Sequence, residues 1–214
     1  MAEVVIAARG GPKAKSRLSA LLGPTARAAL TRAMLRDMLG ALARCPDVRR
    51  VWLVTPTADL AAIAKSAAAE VIQTGARLND AFELGLAAVQ DTAPYARVLL
   101  LPGDLPLLAR ADVEAVLKLL ETHEIVLVPA LEDGGTGAIA LRAGVSFTPC
   151  FGAHSFVRHR REAERRGLKC AVVESRSLGI DLDRPADIPV VAREGAGTRT
   201  AWLLAGDNRY RSTP

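Results

Sequence analysis

Apolar residues fall into short runs separated by longer amphipathic stretches. Runs at 4–8, 51–55, 71–73, 98–101, 125–129, 138–141 and 171–173 are too short to cross a membrane and read as buried strands. Between them, apolar positions recur three and four apart, the spacing of a helix with one buried face. Leu30, Met34, Met38 and Leu42 mark such a face over 24–43, opened by Pro24, and the methionines read as core. Further helices are expected from Thr57 or Asp59 to about 69, from Asn79 to 90, over 111–122 and over 156–166. A short helix after Pro185 would be limited by Pro189. Strands alternating with helices predict an α/β fold, three α/β/α layers around a mostly parallel mixed sheet of Rossmann-like type.

The loops after these strands carry the chemistry. In an open α/β sheet, ligands bind beyond the carboxyl ends of the strands. The run 98–101 is stopped there by Pro102-Gly103-Asp104-Leu105-Pro106. Asp104 reads either as a carboxylate for a metal or as a turn cap. The loop Arg9-Gly10-Gly11-Pro12-Lys13-Ala14-Lys15-Ser16-Arg17 sets four basic side chains around two glycines. It suits phosphate better than incidental surface charge, although it lacks the Walker A spacing. Asn79, after Thr74-Gly75-Ala76-Arg77-Leu78, is either a helix cap or a reader of a base edge. Glu132-Asp133-Gly134-Gly135-Thr136-Gly137 is either an anion-binding loop or a hairpin turn. Ser155, after Phe151-Gly152-Ala153-His154, is placed to cap a helix whose free amides would take phosphate or carboxylate. Asp181 and Asp183, two apart in an extended segment, project to one side. With Asp104 they suit a magnesium site of oxygen ligands, unless one of them caps the helix after Pro185.

Composition narrows the partners. Aromatic residues make up 4% of the chain, so the core is aliphatic and no stacking platform for nucleic acid is expected. The net charge of +5 is modest and spread along the chain, which suits a small anionic substrate. Three cysteines with no Cys-x-x-Cys spacing read as reduced thiols of a cytoplasmic protein. His154 and His159 lack the company of metal ligands, and Arg158-His159-Arg160-Arg161 reads as a solvated helix face. The start, Met1-Ala2-Glu3-Val4-Val5-Ile6, has no leader pattern, and no membrane span is expected. The chain divides into a domain over 1–192 and a tail over 193–214. Gly195-Ala196-Gly197 looks like a linker, and Trp202-Leu203-Leu204 is an apolar patch for the body or for a second copy in a homodimer.

The ordered set of motifs resembles the 2-phospho-L-lactate guanylyltransferase family, including its phosphoenolpyruvate-using branch. The carriers are Ala14-Lys15-Ser16-Arg17-Leu18, Arg77-Leu78-Asn79-Asp80-Ala81, Leu101-Pro102-Gly103-Asp104-Leu105-Pro106, Asp133-Gly134-Gly135-Thr136, Phe151-Gly152-Ala153-His154-Ser155 and Asp181-Leu182-Asp183-Arg184-Pro185. The resemblance implies a nucleotidyltransferase of the glycosyltransferase-A-like fold. It would move GMP from GTP to 2-phospho-L-lactate, phosphoenolpyruvate or 3-phosphoglycerate, releasing pyrophosphate, on the way to a deazaflavin coenzyme. It implies Lys15, Arg17 and Asp104 as catalytic. Ala8, Arg9, Gly10, Lys15, Gly75, Leu78, Asn79, Pro102 and Asp104 would hold the nucleotide, and Thr136, Gly152 and Ser155 the acceptor. Asp104, Asp181 and Asp183 would hold Mg2+, with Mn2+ as a substitute. Two positions depart from the family: Arg9 stands where a lysine is common, and Gly137 where asparagine is common. The alternatives are a transferase of the same fold with another nucleotide or acceptor, and a non-catalytic nucleotide-binding protein.

Overall fold

The computed structural model describes residues 1–11 and 13–206; Pro12 of the first loop and 207–214 of the expected tail lie outside the described residues. In chain order the elements are β1 (Ala2–Ala7), α1 (Pro24–Leu42), β2 (Val48–Thr55), α2 (Ala58–Ser66), β3 (Glu70–Gln73) and α3 (Leu78–Thr92). There follow β4 (Arg97–Pro102), α4 (Arg110–Leu119), β5 (Ile125–Pro129), β6 (Thr136–Leu141), α5 (Ser155–Arg165) and β7 (Cys170–Val172). The chain closes with α6 (Arg176–Gly179), α7 (Asp187–Glu194) and α8 (Arg199–Gly206). The strands form one sheet in the order β3-β2-β1-β4-β6-β5-β7. Among the described strands, only β6 runs antiparallel to its neighbours β4 and β5. Its link from β5 is too short for a crossover, so the two strands must form a hairpin.

Alternate residues of β1 point to opposite faces and define two cores. Val4 and Ile6 pack with Leu35, Met38, Leu60 and Val116 beneath α1, α2 and α4. Val5 and Ala7 pack with Phe82, Phe151 and Ala163 beneath α3 and α5. The result is the expected mixed sheet between two helical layers. Both methionines of α1 are fully buried.

A third cluster lies beside the sheet end. Leu18, Leu22, Leu30 and Met34 meet Ile180, Leu182, Val191 and Leu204 there. It joins the loop after β1 to the last third of the chain. Pro189 lies inside α7, in its first turn, where a missing N–H costs nothing. The expected linker is short, and α8 packs on α1. Asp37 of α1 accepts from the amides of Arg199 (3.0 Å) and Thr200 (2.8 Å) and from the Thr200 hydroxyl (2.7 Å). A carboxylate from a neighbouring helix therefore caps α8. Trp202 of the apolar patch stays exposed while Leu204 is buried.

Asp37→Ala is expected to lower stability by about 1–3 kcal/mol. It should also speed proteolytic cleavage between α7 and α8; unchanged melting and cleavage would show that α8 is held by packing alone.

Candidate active site

β1 and β4 are parallel neighbours in a register that sets Ala7 opposite Pro102, so both end at one level. The Gly103 amide then donates to the Ala7 carbonyl at 2.9 Å. A Cβ on Gly103 would collide with Ala8, so only glycine lets the chain cross here. This crossing delivers Asp104 to the end of the sheet. From the far side, the Leu182 amide donates to the Asp104 carbonyl at 3.1 Å. Leu182 is buried, and the alternation of extended chain turns Asp181 and Asp183 away from that core. Neither of them caps α7. The Asp187 carboxylate does the turn-shaping, accepting from the amides of Asp183 (2.8 Å) and Arg184 (2.5 Å).

Lys15 reaches these acids from the first loop. Its backbone is left-handed, at φ 52° and ψ 43°, a conformation costing roughly 1–2 kcal/mol for a residue with a side chain. Its Nζ lies 2.7 Å from Asp104 Oδ2 and 3.7 Å from Asp183 Oδ1. Arg17, mostly exposed, pairs with the second oxygen of Asp183 at 2.5 Å. Burial pulls the Lys15 ammonium downward, but Asp104, Asp183 and Asp181 outweigh it and hold it above the usual lysine value. Asp181 is pushed up to about 6, first by burial and then by Asp104, with Lys15 opposing.

No group of three acidic, histidine or cysteine side chains is set to grip a metal among the described residues. Asp104 and Asp183 converge instead on the Lys15 ammonium. Asp104 and Asp183 against the ammonium, with Asp181 two residues along, are nevertheless three hard oxygen donors sharing one lysine charge. The donor set therefore fits a divalent cation of the magnesium type.

A cavity of about 550 Å³ opens on this cluster, lined among others by Ala8, Arg9, Lys15, Leu78, Pro102, Asp104 and Asp183. Lys13, Thr31 and Arg77 join them. Thr31 carries no sequence signal, because it sits in mid-helix. Arg9 donates to the Ala76 carbonyl at 3.0 Å. It thereby ties the first loop to the loop after β3 and keeps further guanidinium donors for a ligand. Gly10 packs against Thr57 and Leu60, and its amide donates to Thr57 Oγ1 at 3.0 Å. Thr57 thus spends its hydroxyl on this loop and does not cap α2 through its side chain. Gly10, Gly75, Asn79, Arg17 and Asp181 lie outside the cavity lining.

Asn79 is not the cap of α3; Arg77 holds that position. The Asn79 amide donates to the Phe151 carbonyl at 3.2 Å, and its buried Oδ1 has no partner among the described residues.

The three expected acceptor residues form a separate group outside the cavity lining. β6 pairs with β4 so that Ile139 faces Leu100, which sets Thr136 at about the level of Gly103. Thr136 Oγ1 lies 2.9 Å from Ser155 Oγ, and both residues are buried. Gly152, at φ 131°, turns the chain into α5. His154 caps that helix in a left-handed conformation, so Ser155 is its first residue and not its cap. Two of the amides at that helix start are already used: Ser155 N donates to Gly152 O and Phe156 N to Gly134 O. In the glycine loop, Gly135 N donates to Asp133 Oδ1 at 2.7 Å, closing an Asx turn in place of an anion nest. A Cβ at Gly137 would strike the Leu178 carbonyl, so the departure to glycine is where α6 crosses β6.

His159 overturns its reading as part of a solvated face. It is fully buried, with Nδ1 2.8 Å from Thr136 Oγ1 and Nε2 2.8 Å from the Cys150 amide. The available signal was its place one helical turn after Ser155. The arginines around it do face solvent.

Among solved structures, a putative nucleotide-diphospho-sugar transferase from Desulfovibrio desulfuricans G20 superposes with a TM-score of 0.76 at 22% identity, covering 99% of this chain and 98% of that one. A nucleotidyl transferase from Methanothermobacter thermautotrophicus gives 0.66 at 16% identity, covering 97% and 99%. These likenesses establish the fold. A curated relative from Phenylobacterium zucineum, a 3-phospho-D-glycerate guanylyltransferase, is 56% identical over 99% of this chain and 100% of its own. A phosphoenolpyruvate guanylyltransferase from Sphaerobacter thermophilus is 36% identical over 84% and 86%. A 2-phospho-L-lactate guanylyltransferase from Methanothermobacter thermautotrophicus is 37% identical over 89% and 84%. Fold and relatives together define a nucleotidyltransferase. The family model described as "Guanylyl transferase CofC like" matches residues 2–205, and the chain belongs to that family.

Because Asp181 titrates near 6 in the folded protein against 3.8 for an ordinary aspartate, the folded state binds the extra proton between these values. Its contribution to stability therefore falls as pH rises from about 4 to 6 and stays low above. In metal-free protein, Asp181→Asn should raise the melting temperature at pH 7.5 by roughly 6–12 °C, and the gain should shrink as pH is lowered toward 4. A gain independent of pH would assign the effect to packing.

Proposed function

We propose that this protein transfers the guanylyl group of GTP to the phosphate of a three-carbon phospho-acid, and that 3-phosphoglycerate is the preferred acceptor. The observation that carries the reading is the Lys15 ammonium, held at the end of β1 between Asp104 and Asp183 inside the cavity. The 56% relative named for 3-phospho-D-glycerate supports that acid over phosphoenolpyruvate and 2-phospho-L-lactate. The product would be a guanosine diphosphate ester serving deazaflavin coenzyme synthesis. The three free cysteines agree with a cytoplasmic enzyme.

An oxygen of the acceptor phosphate attacks the α-phosphorus of GTP. The bond from the α-phosphorus to its bridging oxygen breaks, and pyrophosphate leaves with the electron pair. The attacking oxygen is already anionic, so no protein base is required, and positioning with charge neutralisation supplies the catalysis. Lys15 stays cationic at neutral pH and offsets triphosphate charge. Arg17, paired with Asp183, and Arg9, in the cavity lining, would do the same for the departing pyrophosphate and the nucleotide. Asp104, Asp181 and Asp183 would hold Mg2+, or Mn2+ in its place. The ion supplies charge neutralisation and orientation of phosphate oxygens when bound. Leu78, with Ala8 and Pro102, would give the nucleoside an apolar wall. An unpaired buried carbonyl oxygen costs about 1–3 kcal/mol, and a donor-rich guanine would relieve Asn79. Thr136, Gly152 and Ser155 would seat the acceptor acid.

Incubation with labelled GTP, Mg2+ and each phospho-acid should release pyrophosphate only with an acceptor, fastest with 3-phosphoglycerate. No release with any of the three, under conditions where GTP binds, would overturn the reading. Asp104→Asn should lower turnover at least ~100-fold, about 2.7 kcal/mol, without loss of fold. Lys15→Met should bind Mn2+ several-fold more tightly in the absence of nucleotide, because the ammonium no longer competes for the acids, and yet turn over more slowly. Weaker Mn2+ binding in that variant would show that the ammonium and the ion do not share a site.

A further inference from the structure

Thr136 and Ser155 form a buried pair whose hydrogens are not free to point anywhere. Three hydrogens serve the group, one from the neutral His159 ring and one from each hydroxyl. The Cys150 backbone amide can only donate, and it points at His159 Nε2 at 2.8 Å. Nε2 must therefore accept, and in the neutral ring the proton sits on Nδ1. Nδ1–H then donates to Thr136 Oγ1, 2.8 Å away. One hydroxyl hydrogen is used between Thr136 and Ser155, 2.9 Å apart. One hydrogen is left over, and it is available to a third group.

With the opposite tautomer the outcome reverses. Nδ1 would accept the Thr136 hydrogen and Thr136 Oγ1 would accept that of Ser155. The pair would then show only lone pairs to its surroundings and would repel phosphate or carboxylate. We infer that His159 is a positioning residue for the acceptor: by its fixed tautomer it sets Thr136 and Ser155 as a hydrogen donor to the anionic group of the phospho-acid. This rests on the acceptor assignment made above. Burial, aided by the neighbouring Arg158 charge, brings His159 down to about 4, so the ring stays neutral in the physiological range. Phe147 and Phe151 pack against the ring with centroids 5.7 and 5.5 Å away, which holds its plane. Phe151 immediately precedes Gly152, so the relay and the acceptor loop are built as one unit.

The test joins spectroscopy of the unaltered protein to kinetics. Nitrogen-15 NMR of labelled wild type should show His159 neutral, protonated on Nδ1, and unchanged between pH 5.5 and 8.5. An Nε2-protonated ring, or one titrating in that range, overturns the inference whatever the substrate is. In kinetics, His159→Phe keeps a ring but removes both nitrogens. It should raise the KM for 3-phosphoglycerate at least tenfold and leave that for GTP within about twofold. His159→Asn, whose amide can donate from the Nδ1 position, should recover most of the loss. An unchanged acceptor KM in His159→Phe, or an equal rise for both substrates, would overturn it. Should His159→Phe fail to fold, His159→Asn set against His159→Leu gives the same comparison. Absence of turnover by wild type with every phospho-acid would fail the proposed reaction instead, and the tautomer measurement would still decide the relay.

Discussion

The site depends on one ammonium among three carboxylates. Asp104, Asp181 and Asp183 come from segments nearly eighty residues apart, and like charges at short range resist such an approach. Lys15 makes it tolerable, with contacts of 2.7 and 3.7 Å to two of the acids. The third acid, Asp181, is left with a raised affinity for a proton. The folded protein thus holds a partly neutralised acidic cluster, stable enough to form and still short of positive charge. Breaking such a buried pair costs more than the pair itself contributes, because the remaining charge is stranded. The left-handed turn at Lys15 is tolerated on the same account, since its strain is small beside the loss of the cation.

Three backbone features make the convergence geometric rather than accidental. The β1–β4 register brings two strand ends to one level. Gly103 lets the chain pass over Ala8 without a side chain in the way. The Leu182 amide then fastens the distant Asp-x-Asp segment to the Asp104 carbonyl. The third apolar cluster stands behind that last bond. Leu18 and Leu22 anchor the basic loop, Leu182 anchors the acids, and α7 and α8 close over both. Helices α7 and α8 therefore back the segment that carries the acids, and the apolar patch at 202–204 is divided between that packing and solvent.

The fold was readable because its signals are local. Short aliphatic runs mark strands wherever they occur, and proline and glycine mark where they stop. Asp104 and the Asp181/Asp183 pair were visible for the same reason: a carboxylate at a strand end, or two at alternate positions, has meaning without its neighbours. What stayed hidden needed tertiary contacts. His159 sits in an arginine run and looks solvated, but the hydroxyls of Thr136 and Ser155 and an amide from the preceding loop draw it inward. Asp187, not Asp181 or Asp183, shapes the turn into α7, since an acid's own position does not reveal which amide it will find. Caps expected at Asn79 and Ser155 moved by one or two residues for a related reason. Arg77 and His154 begin those helices by backbone conformation, and the polar side chains turned to other partners.

Under the proposed reaction, the two halves of the sheet would supply two kinds of recognition. The parallel half, β3-β2-β1-β4, ends in charge: lysine, arginine and carboxylates around an open cavity. The antiparallel strand β6 begins at that same end, and its hairpin brings in neutral donors, hydroxyls whose polarity is set by a buried imidazole. Charge suits a flexible triphosphate, which must bind, react and leave. Fixed neutral donors suit a small acid that must be told apart from others of equal charge, because an unpaired hydrogen bond in a dry site discriminates more sharply than a screened ion pair. Gly137 belongs to this second half: without a side chain there, the 178–179 backbone closes directly on β6. An asparagine at that position would push the crossing outward and change the space around Thr136. The contrast between the halves follows from topology. Only a strand entering the mouth from the opposite direction could place its first residue where the others place their last.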